Sequence, residues 1–580
     1  MGLAARLEKL IPDLSAALLR FPVPALYSIL LCAWLNFEEI GFSTWDEHVF
    51  YAAGAAFLAS GAGHFFAEGR GLSRIWNLGL AFASGLVALV LGYFTGFFTT
   101  GLLFLFGALI LALMISPYLH GGARQGALWL FNLRLWLAAL LAILVGIAFG
   151  AGLSAIVEAL KFLFGVTLPG NLHDHIWVTA ASLVAPLFGL SLMPKDLGEE
   201  VAIDGQSGSL LERGVSVLVN YVLVPVILVY TAILHAYGVK IAAQWQLPDG
   251  QLGLMVTIFA LGGTGAWLIA WPWREQGTRL LRWFMRGWFW LCIVPAMLLT
   301  IAVWRRVSDY GMTPDRYGIM LVAIWIAGLA AYLALRRNRA DMRFILGGFA
   351  VLMLVGAAGP FGANGLTITS QVGRLQALLE LNDVLKNGKI VSPVPTLPEN
   401  ARSSGSSMVF TLREAGGVDR LKPWFEGMDK NPLASATDDW STAYAIAGAL
   451  GLNGPYNQED YISVNALTAL DRDITGAARL IGPLQAYINN SASVEPPEPF
   501  AIIKDNVLII RIAGRGWLVP GADLLASAKA SIPIAGKPQL PVVHEAGPDI
   551  TLVLDQLYGR TGGKPELTSA HLWVILRQSP

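Results

Sequence analysis

The stretch Arg305-Arg306-Val307-Ser308-Asp309-Tyr310-Gly311-Met312-Thr313-Pro314-Asp315-Arg316-Tyr317 gathers cations, carboxylates and phenols around a glycine and a proline. Apolar runs flank it, so it reads as a short turn in which Tyr310 and Tyr317 suit a membrane interface and Arg316 suits a headgroup or carboxylate. Asp309, Tyr310, Asp315, Arg316 and Tyr317 are therefore candidate binding residues. The competing reading is a loop whose Tyr and Arg merely fix helix depth. A second group, His173, Asp174 and His175, has the donor types for a divalent cation or a proton relay. Glu38, Glu39, Asp46, Glu47, His48 and His235 are expected at the same face. A solvated polar rim explains them equally, because two imidazoles on a loop can project in different directions. Asn132 and Asn220 lie inside apolar runs, and Pro186, Pro225 and Pro295 interrupt such runs. Proline frees carbonyls within a membrane helix, which transporters use to hold substrates. Helix packing alone also accounts for it.

Other chemistry is absent from the pattern. There is no H-E-x-x-H, G-x-S-x-G or G-x-x-x-x-G-K-[ST], so the usual zinc-protease, hydrolase-elbow and nucleotide-loop readings fall away. The Leu261-Gly262-Gly263-Thr264-Gly265 glycines sit in an apolar run, where they serve close helix contact rather than a phosphate. Cys32 and Cys292 also lie in apolar runs and support neither a disulfide framework nor a thiolate zinc site. Forty basic residues balance forty acidic ones, so no global positive field favours nucleic acid. No cofactor is expected, and the balance leans away from an enzyme.

These residues must be positioned by a membrane protein. Of 580 residues, 55% are apolar and 14% charged, against roughly a quarter charged in a soluble chain. A hydrocarbon core of about 30 Å takes roughly twenty helical residues. Eleven runs qualify, at 21–38, 48–67, 75–94, 96–116, 128–152, 176–193, 214–236, 251–271, 284–304, 317–335 and 343–361, the fifth with room to continue to Phe164. Alternate connections hold sixteen and five Lys and Arg residues, and the richer side is the cytoplasmic one. That places the N-terminus in the cytoplasm and, with eleven spans, the tail outside it. Leu3, Leu7, Leu10, Leu14 and Leu18 recur at helical spacing, which predicts a helix over 1–20 lying in the interface rather than a signal peptide. Pro22 and Pro24 mark its bend into the first span.

Beyond Gly362 the chemistry changes, with eighteen basic and twenty-one acidic residues in 219 positions. The expected organisation is a bundle over 21–361, an amphipathic helix (Ser370 to Lys386) and linker over 362–407, and an extracytoplasmic α+β domain over 408–580. Prolines, serines and glycine from Ser392 to Ser407 are expected to prevent regular structure. Thr437-Asp438-Asp439 caps a helix through Leu450, while 507–513, 549–557 and 570–577 are β-rich.

The pattern YG-x-T-x-x-RY, followed by a span and then by GPFGANGLTITSQVGRLQALLELNDVLKNGKIV from Gly359, resembles the bacterial multi-pass membrane family of domain of unknown function 4153. The likeness covers roughly residues 20 to 390. It implies a polytopic protein of the bacterial cytoplasmic membrane and assigns no reaction or catalytic residue. The expected role is an envelope scaffold presenting the tail domain, with the bilayer and an envelope protein, small molecule or lipid as partners. The alternatives are a secondary transporter or lipid-handling protein, and an outer-face metal enzyme using His173, Asp174 and His175.

Overall fold

The computed structural model describes residues 14–37, 44–95, 99–120, 124–166, 168–169, 171–200, 210–244, 252–336, 340–391, 394–426, 439–452, 461–465, 477–487, 498–530, 541–560 and 565–577. The chain divides into a helical unit, Met1–Leu381 with Asn387–Lys389 and Met408–Ala443, and an α+β unit, Asn382–Lys386 with Ile390–Ser407 and Tyr444–Pro580.

The helical unit opens with α1 (Leu14–Arg20) and α2 (Pro22–Phe37), bent by 107° at Phe21. Pro22 has no N–H to continue the preceding helix, so the turn falls where the two prolines place it. Leu3, Leu7 and Leu10 lie outside the described residues. There follow α3 (Thr44–Gly69), α4 (Arg74–Thr95), α5 (Thr99–Ile115), α6 (Gln125–Phe164), α7 (Leu172–Thr179), α8 (Ala185–Ser191), α9 (Leu210–Leu218) and α10 (Val224–Gln244). The unit continues with α11 (Leu252–Ala270), α12 (Arg279–Leu291), α13 (Ile293–Tyr310), α14 (Pro314–Leu335), α15 (Met342–Ala357) and α16 (Ala363–Leu381).

Eight helical stretches among the described residues are long and apolar enough to cross a bilayer, and nine if the bent pair counts as one span. The expected eleven are not reached among the described residues. The run at 176–193 lies in continuous helix over 172–191, with a π-turn inside it, that is not among the candidate spans, and the run at 343–361 yields only the 16-residue α15, about 24 Å long at 1.5 Å per residue. By contrast α6 runs unbroken for 40 residues, about 60 Å, so the fifth run does continue to Phe164.

Each proline nominated from the sequence sits just after a backbone irregularity. A π-turn, Ala180–Val184, ends two residues before Pro186, and another, Val219–Leu223, ends two residues before Pro225. The junction between α12 and α13 falls at Cys292, three residues before Pro295. A proline cannot donate to the carbonyl four residues back, and the wider turn lets its ring clear that carbonyl. For Pro186 that carbonyl belongs to Ser182, and the Ser28 hydroxyl of α2 donates to it. A neighbouring helix thus supplies the donor that proline removed.

Small residues bring helices together. A Cβ on Gly92 of α4 would stand 2.8 Å from Ala52 Cα of α3. On Gly263 of α11 it would stand 1.8 Å from Cη2 of Trp288, a fully buried ring whose Nε1 donates to Thr264 Oγ1 at 3.2 Å. Of the glycine run in α11, Gly263 serves helix contact, whereas a Cβ on Gly262 or Gly265 would meet nothing within 4 Å.

Between 392 and 407 the structure departs from expectation, because helix α17 (Glu399–Glu414) replaces the second half of the expected linker. It starts one residue after Pro398, and Met408, Val409 and Leu412 are buried. Burial of that apolar stripe outweighs the weak helix propensity of the Ser403–Ser407 segment. Helix α18 (Asp439–Ala449) matches the expected one, while Thr437 and Asp438 lie outside the described residues.

In the α+β unit, strands β1 (Tyr461–Asn465), β2 (Ala477–Tyr487), β6 (Val542–Glu545), β7 (Ile550–Arg560) and β8 (Glu566–Arg577) form one antiparallel sheet. Its order is β1-β7-β8-β2, with β6 also paired to β7. A second sheet is the meander β3 (Phe500–Lys504), β4 (Val507–Ile512) and β5 (Arg515–Pro520). The two tight turns of that meander hold both central residues at positive φ, Asp505-Asn506 and Ala513-Gly514, the geometry whose twist matches a hairpin. Leu508, Ile510, Leu552, Leu554, Leu572 and Val574 alternate inward and meet Leu524, Leu525 and Ala528 of α19 (Gly521–Ala530). The three β-rich segments read from the sequence are β4, β7 and β8.

Two measurements check this packing. Gly263→Ala is expected to destabilise the folded protein by about 1–3 kcal/mol, as overpacking does. Gly262→Ala, whose Cβ meets nothing within 4 Å, leaves thermal unfolding in detergent nearly unchanged. In the α+β unit, burial pushes the His544 imidazole below its ordinary range, against the pull of Asp523. Protons therefore favour the unfolded chain. No stability is lost above pH ~6.5, and stability falls as pH drops below it. As pH falls below about 6.5, wild type should lose melting temperature relative to His544→Gln, so that any advantage it holds at neutral pH shrinks.

Candidate functional site

The sequence 310–317 spells a helix stop followed by a helix start. Gly311 ends α13 at φ +76°, with its N–H bonded to Val307 O at 2.9 Å. Thr313 caps α14 by accepting from Arg316 N, Pro314 takes the first turn where no N–H is needed, and Asp315 adds a carboxylate at the positive end of the helix dipole.

The last carbonyls of α13 have no partner within their own helix. Side chains from α16 reach them. Arg374 donates to Ser308 O at 3.1 Å and also to Asp309 O. Gln371 Nε2 donates to Tyr310 O at 3.3 Å and to Met312 O at 2.7 Å, and Met312 N donates to Ser370 Oγ at 2.9 Å. Arg316 closes the set by donating to Gly311 O at 2.6 Å. Placing cationic donors on a helix C-terminus is also what the helix dipole favours. A Cβ on Gly311 would fall 2.6 Å from Arg374 Cδ and 3.0 Å from Gln371 Nε2, so this turn requires glycine for space as well as for φ.

The nominated loop residues divide by role. Tyr317 is buried, and its hydroxyl donates to Phe361 O at 2.9 Å while its ring meets Phe104 edge-on. Arg316 lies 5.6 Å from the exposed Tyr310 ring. Asp309 stands 3.9 Å from Arg305 one turn back. Asp315 contributes only its place in the first turn of α14.

The other nominated residues lie apart from this joint. Asn220 sits in the second π-turn. Its Nδ2 donates to Ser216 O at 2.9 Å, and its Oδ1 accepts from Thr278 N at 3.1 Å ahead of α12. Asn132 donates to Leu128 O at 2.8 Å and Met114 O at 3.2 Å, tying α6 to α5. His173, Asp174 and His175 occupy the first turn of α7 rather than a loop. His173 Nε2 meets Glu158 at 2.8 Å, whereas His175 Nδ1 meets Asn36 Oδ1 at 3.0 Å. Among the described residues no three His, Cys, Asp or Glu side chains gather as metal ligands. Glu38 and Glu39 lie outside the described residues.

A second polar assembly, missed in the sequence, sits at the other end of α15. Asp341 caps that helix through Arg343 N and chelates the Arg343 guanidinium at 2.6–3.1 Å. Burial alone would raise this carboxyl, but the hydrogen bonds from Arg343 and Gln125 hold it below its ordinary value. Arg343 also donates to Tyr118 O at 3.0 Å and His120 O at 2.8 Å. Nearby, Arg20 pairs with both oxygens of Glu68 at 3.1 and 3.0 Å and donates to Pro194 O at 2.8 Å. The Tyr118 hydroxyl donates to Leu197 O at 2.9 Å. The only local signals were the i,i+2 pair Asp341/Arg343 and the cation before Phe21-Pro22. Their partners are up to 225 positions away.

This architecture is that of a polytopic helical membrane protein with a C-terminal α+β unit. The model of the family described as Domain of unknown function (DUF4153) matches residues 52–372, and the chain belongs to that family. An uncharacterized protein of Pasteurella multocida is 25% identical over 211 residues, 35% of this chain. The chain spans about a third (33%) of the length of that curated relative. No solved structure matches.

Gly311→Ala is expected to cost about 1–3 kcal/mol through overpacking and left-handed strain together. Thermal unfolding of the purified protein in detergent checks this, with Gly373→Ala, whose Cβ meets nothing within 4 Å, as the control on α16.

Proposed function

We propose that the protein is a scaffold of the bacterial cytoplasmic membrane, with its N-terminus in the cytoplasm, whose helical bundle holds an extracytoplasmic α+β domain at the membrane face. The observation that carries this reading is the joint between 308–317 and α16. Ser370, Gln371 and Arg374 are engaged with main-chain atoms of the loop, so the most distinctive motif pair of the chain serves to fix one helix on another. In chain order that helix leads into the α+β unit. Asn220 supports the same reading, since both of its amide atoms are engaged; Asn132 ties α6 to α5 through Nδ2, while its Oδ1 is buried without a partner. The orientation rests on the excess of Lys and Arg on alternate connections of an eleven-span chain, and it is the part of this reading that the reporter fusions decide.

Replacing the native protein by a chain ending at Leu381 is expected to reproduce the envelope phenotype of a full deletion. Asn132→Ala and Asn220→Ala chains that reach wild-type abundance should keep function. A truncated chain present in the membrane at wild-type level and fully functional would overturn the scaffold reading. Loss of function in either Asn variant at normal abundance would instead favour transport. Reporters fused after Lys389 test the side: a periplasm-active reporter should work there and a cytoplasm-active one should not.

A further inference from the structure

Three candidate spans, His48–Gly69, Thr100–Tyr118 and Gln125–Phe164, end or begin at one cavity of about 460 Å³. His48–Gly69 and Thr100–Tyr118, at 22 and 19 residues, match the length of the hydrocarbon core, so their ends at the cavity fall at headgroup depth. The cavity also has the size of a small-molecule site. Its chemically active lining is Glu68, Tyr118, His120, Arg124, Lys195 and Asp196.

The walls are fixed from behind. Arg20 binds Glu68 and the carbonyls of Met193 and Pro194. Arg343 binds the carbonyls of Tyr118 and His120, and the Tyr118 hydroxyl holds Leu197 O. A Cβ on Gly69 would stand 2.0 Å from Pro117 O, so two of the walls are in close contact. A site whose backbone is tied by charge-assisted bonds is preorganised, and a ligand entering it orders little else.

Two carboxylates and two cations line the cavity, so its formal charge is zero with both signs present. Their commitments differ. Both oxygens of Glu68 accept from Arg20, and Asp196 Oδ1 accepts from Gly198 N at 2.8 Å. Arg124 pairs with Glu200 at 3.0 Å. His120 turns Nδ1 toward Pro117 O at 3.2 Å, which leaves Nε2. Lys195 is exposed and has no ion-pair partner among the described residues. A multiply charged anion would meet the two carboxylates, and a simple cation would meet the lysine and arginine. A ligand carrying one phosphate charge and one ammonium satisfies both.

We infer that this cavity binds a zwitterionic phosphodiester bearing a primary ammonium, the chemistry of a phosphoethanolamine headgroup, with Lys195 and Arg124 facing the phosphate and Asp196 the ammonium.

The test uses the full chain in detergent and in lipid nanodiscs. Binding of glycerophosphoethanolamine, glycerophosphocholine and inorganic phosphate is followed by calorimetry. Glycerophosphoethanolamine is expected to bind best, and Lys195→Ala and Asp196→Asn should each weaken it about tenfold or more, as loss of a charged hydrogen-bond partner does. Lys240→Ala, a remote exposed control, should not. Competition by phosphatidylethanolamine but not phosphatidylglycerol in the nanodisc identifies the membrane lipid as the source. Binding of the soluble ester without such competition supports the same chemistry from a soluble source. Inorganic phosphate or phosphatidylglycerol binding as tightly, with Asp196→Asn strengthening it, overturns the proposal in favour of an anion site. Failure of every probe to bind wild-type protein that melts normally also overturns it. None of these outcomes depends on the scaffold reading.

Discussion

A carbonyl that loses its partner inside a bilayer has no water to turn to, and leaving it bare costs several kcal/mol. The helical unit meets this constraint by one device repeated at many places: a polar side chain from another element donates to the freed or terminal carbonyl. Ser28 supplies the donor that Pro186 removes, and Arg374 and Gln371 do so for the end of α13. Trp129, Trp267 and Trp325 each send an indole N–H at 3.0–3.1 Å to a carbonyl of α11, α12 and α15 respectively, tying helix to helix even where, as at Met285 and Ile345, the carbonyl lies inside its own helix. A tryptophan suits this task because it buries a large apolar ring while delivering one donor at its edge. The aromatic richness that looks like general hydrophobicity in composition is partly a supply of such donors.

The same constraint explains why the residues richest in chemistry turn out to be structural. Near a membrane surface a helix must stop, reverse and restart within a few residues, and each step leaves backbone groups open. Gly311, Thr313, Pro314 and Arg316 answer those steps in order, so their spacing is dictated by caps. Long-range partners then lock the turn. Of the side chains gathered there, Arg316 donates to the turn itself, alongside Gln371 and Arg374 from α16.

This sets how much could be read from the chain alone. Apolar length, proline position and turn chemistry act locally, so the bent first helix, the irregularities before Pro186, Pro225 and Pro295, and strands β4, β7 and β8 were legible. Length thresholds were less secure, because α15 is apolar enough but only 16 residues long. The expected linker failed for a tertiary reason, since Met408, Val409 and Leu412 find a core that their serine- and glycine-rich approach does not announce. His173 and His175 share a helical turn yet face different helices, which no spacing rule foretells. The Arg20–Glu68 and Arg343–Tyr118 contacts were invisible because nothing in one sequence links positions 48 and 225 apart.

The two ends of α15 show what the device leaves over. At its C-terminal end Ser370, Gln371 Nε2 and the Arg374 terminal nitrogens bind main-chain atoms of the neighbouring loop and Tyr317 is buried, while Gln371 Oε1 and Arg374 Nε are left buried without a partner. At its N-terminal end Arg20 and Arg343 perform the same service for the carbonyls of 118, 120, 193 and 194, but they do so from behind the walls. Lys195 and the second oxygen of Asp196 are then surplus to backbone needs. A chain that required only stable helix ends would gain nothing from an exposed cation and a carboxylate facing a preformed cavity. The joint's leftover atoms, Gln371 Oε1 and Arg374 Nε, are buried among its own helices, whereas Lys195 and Asp196 are exposed at a cavity, and that accessibility, rather than charge density, separates the cavity from the joint.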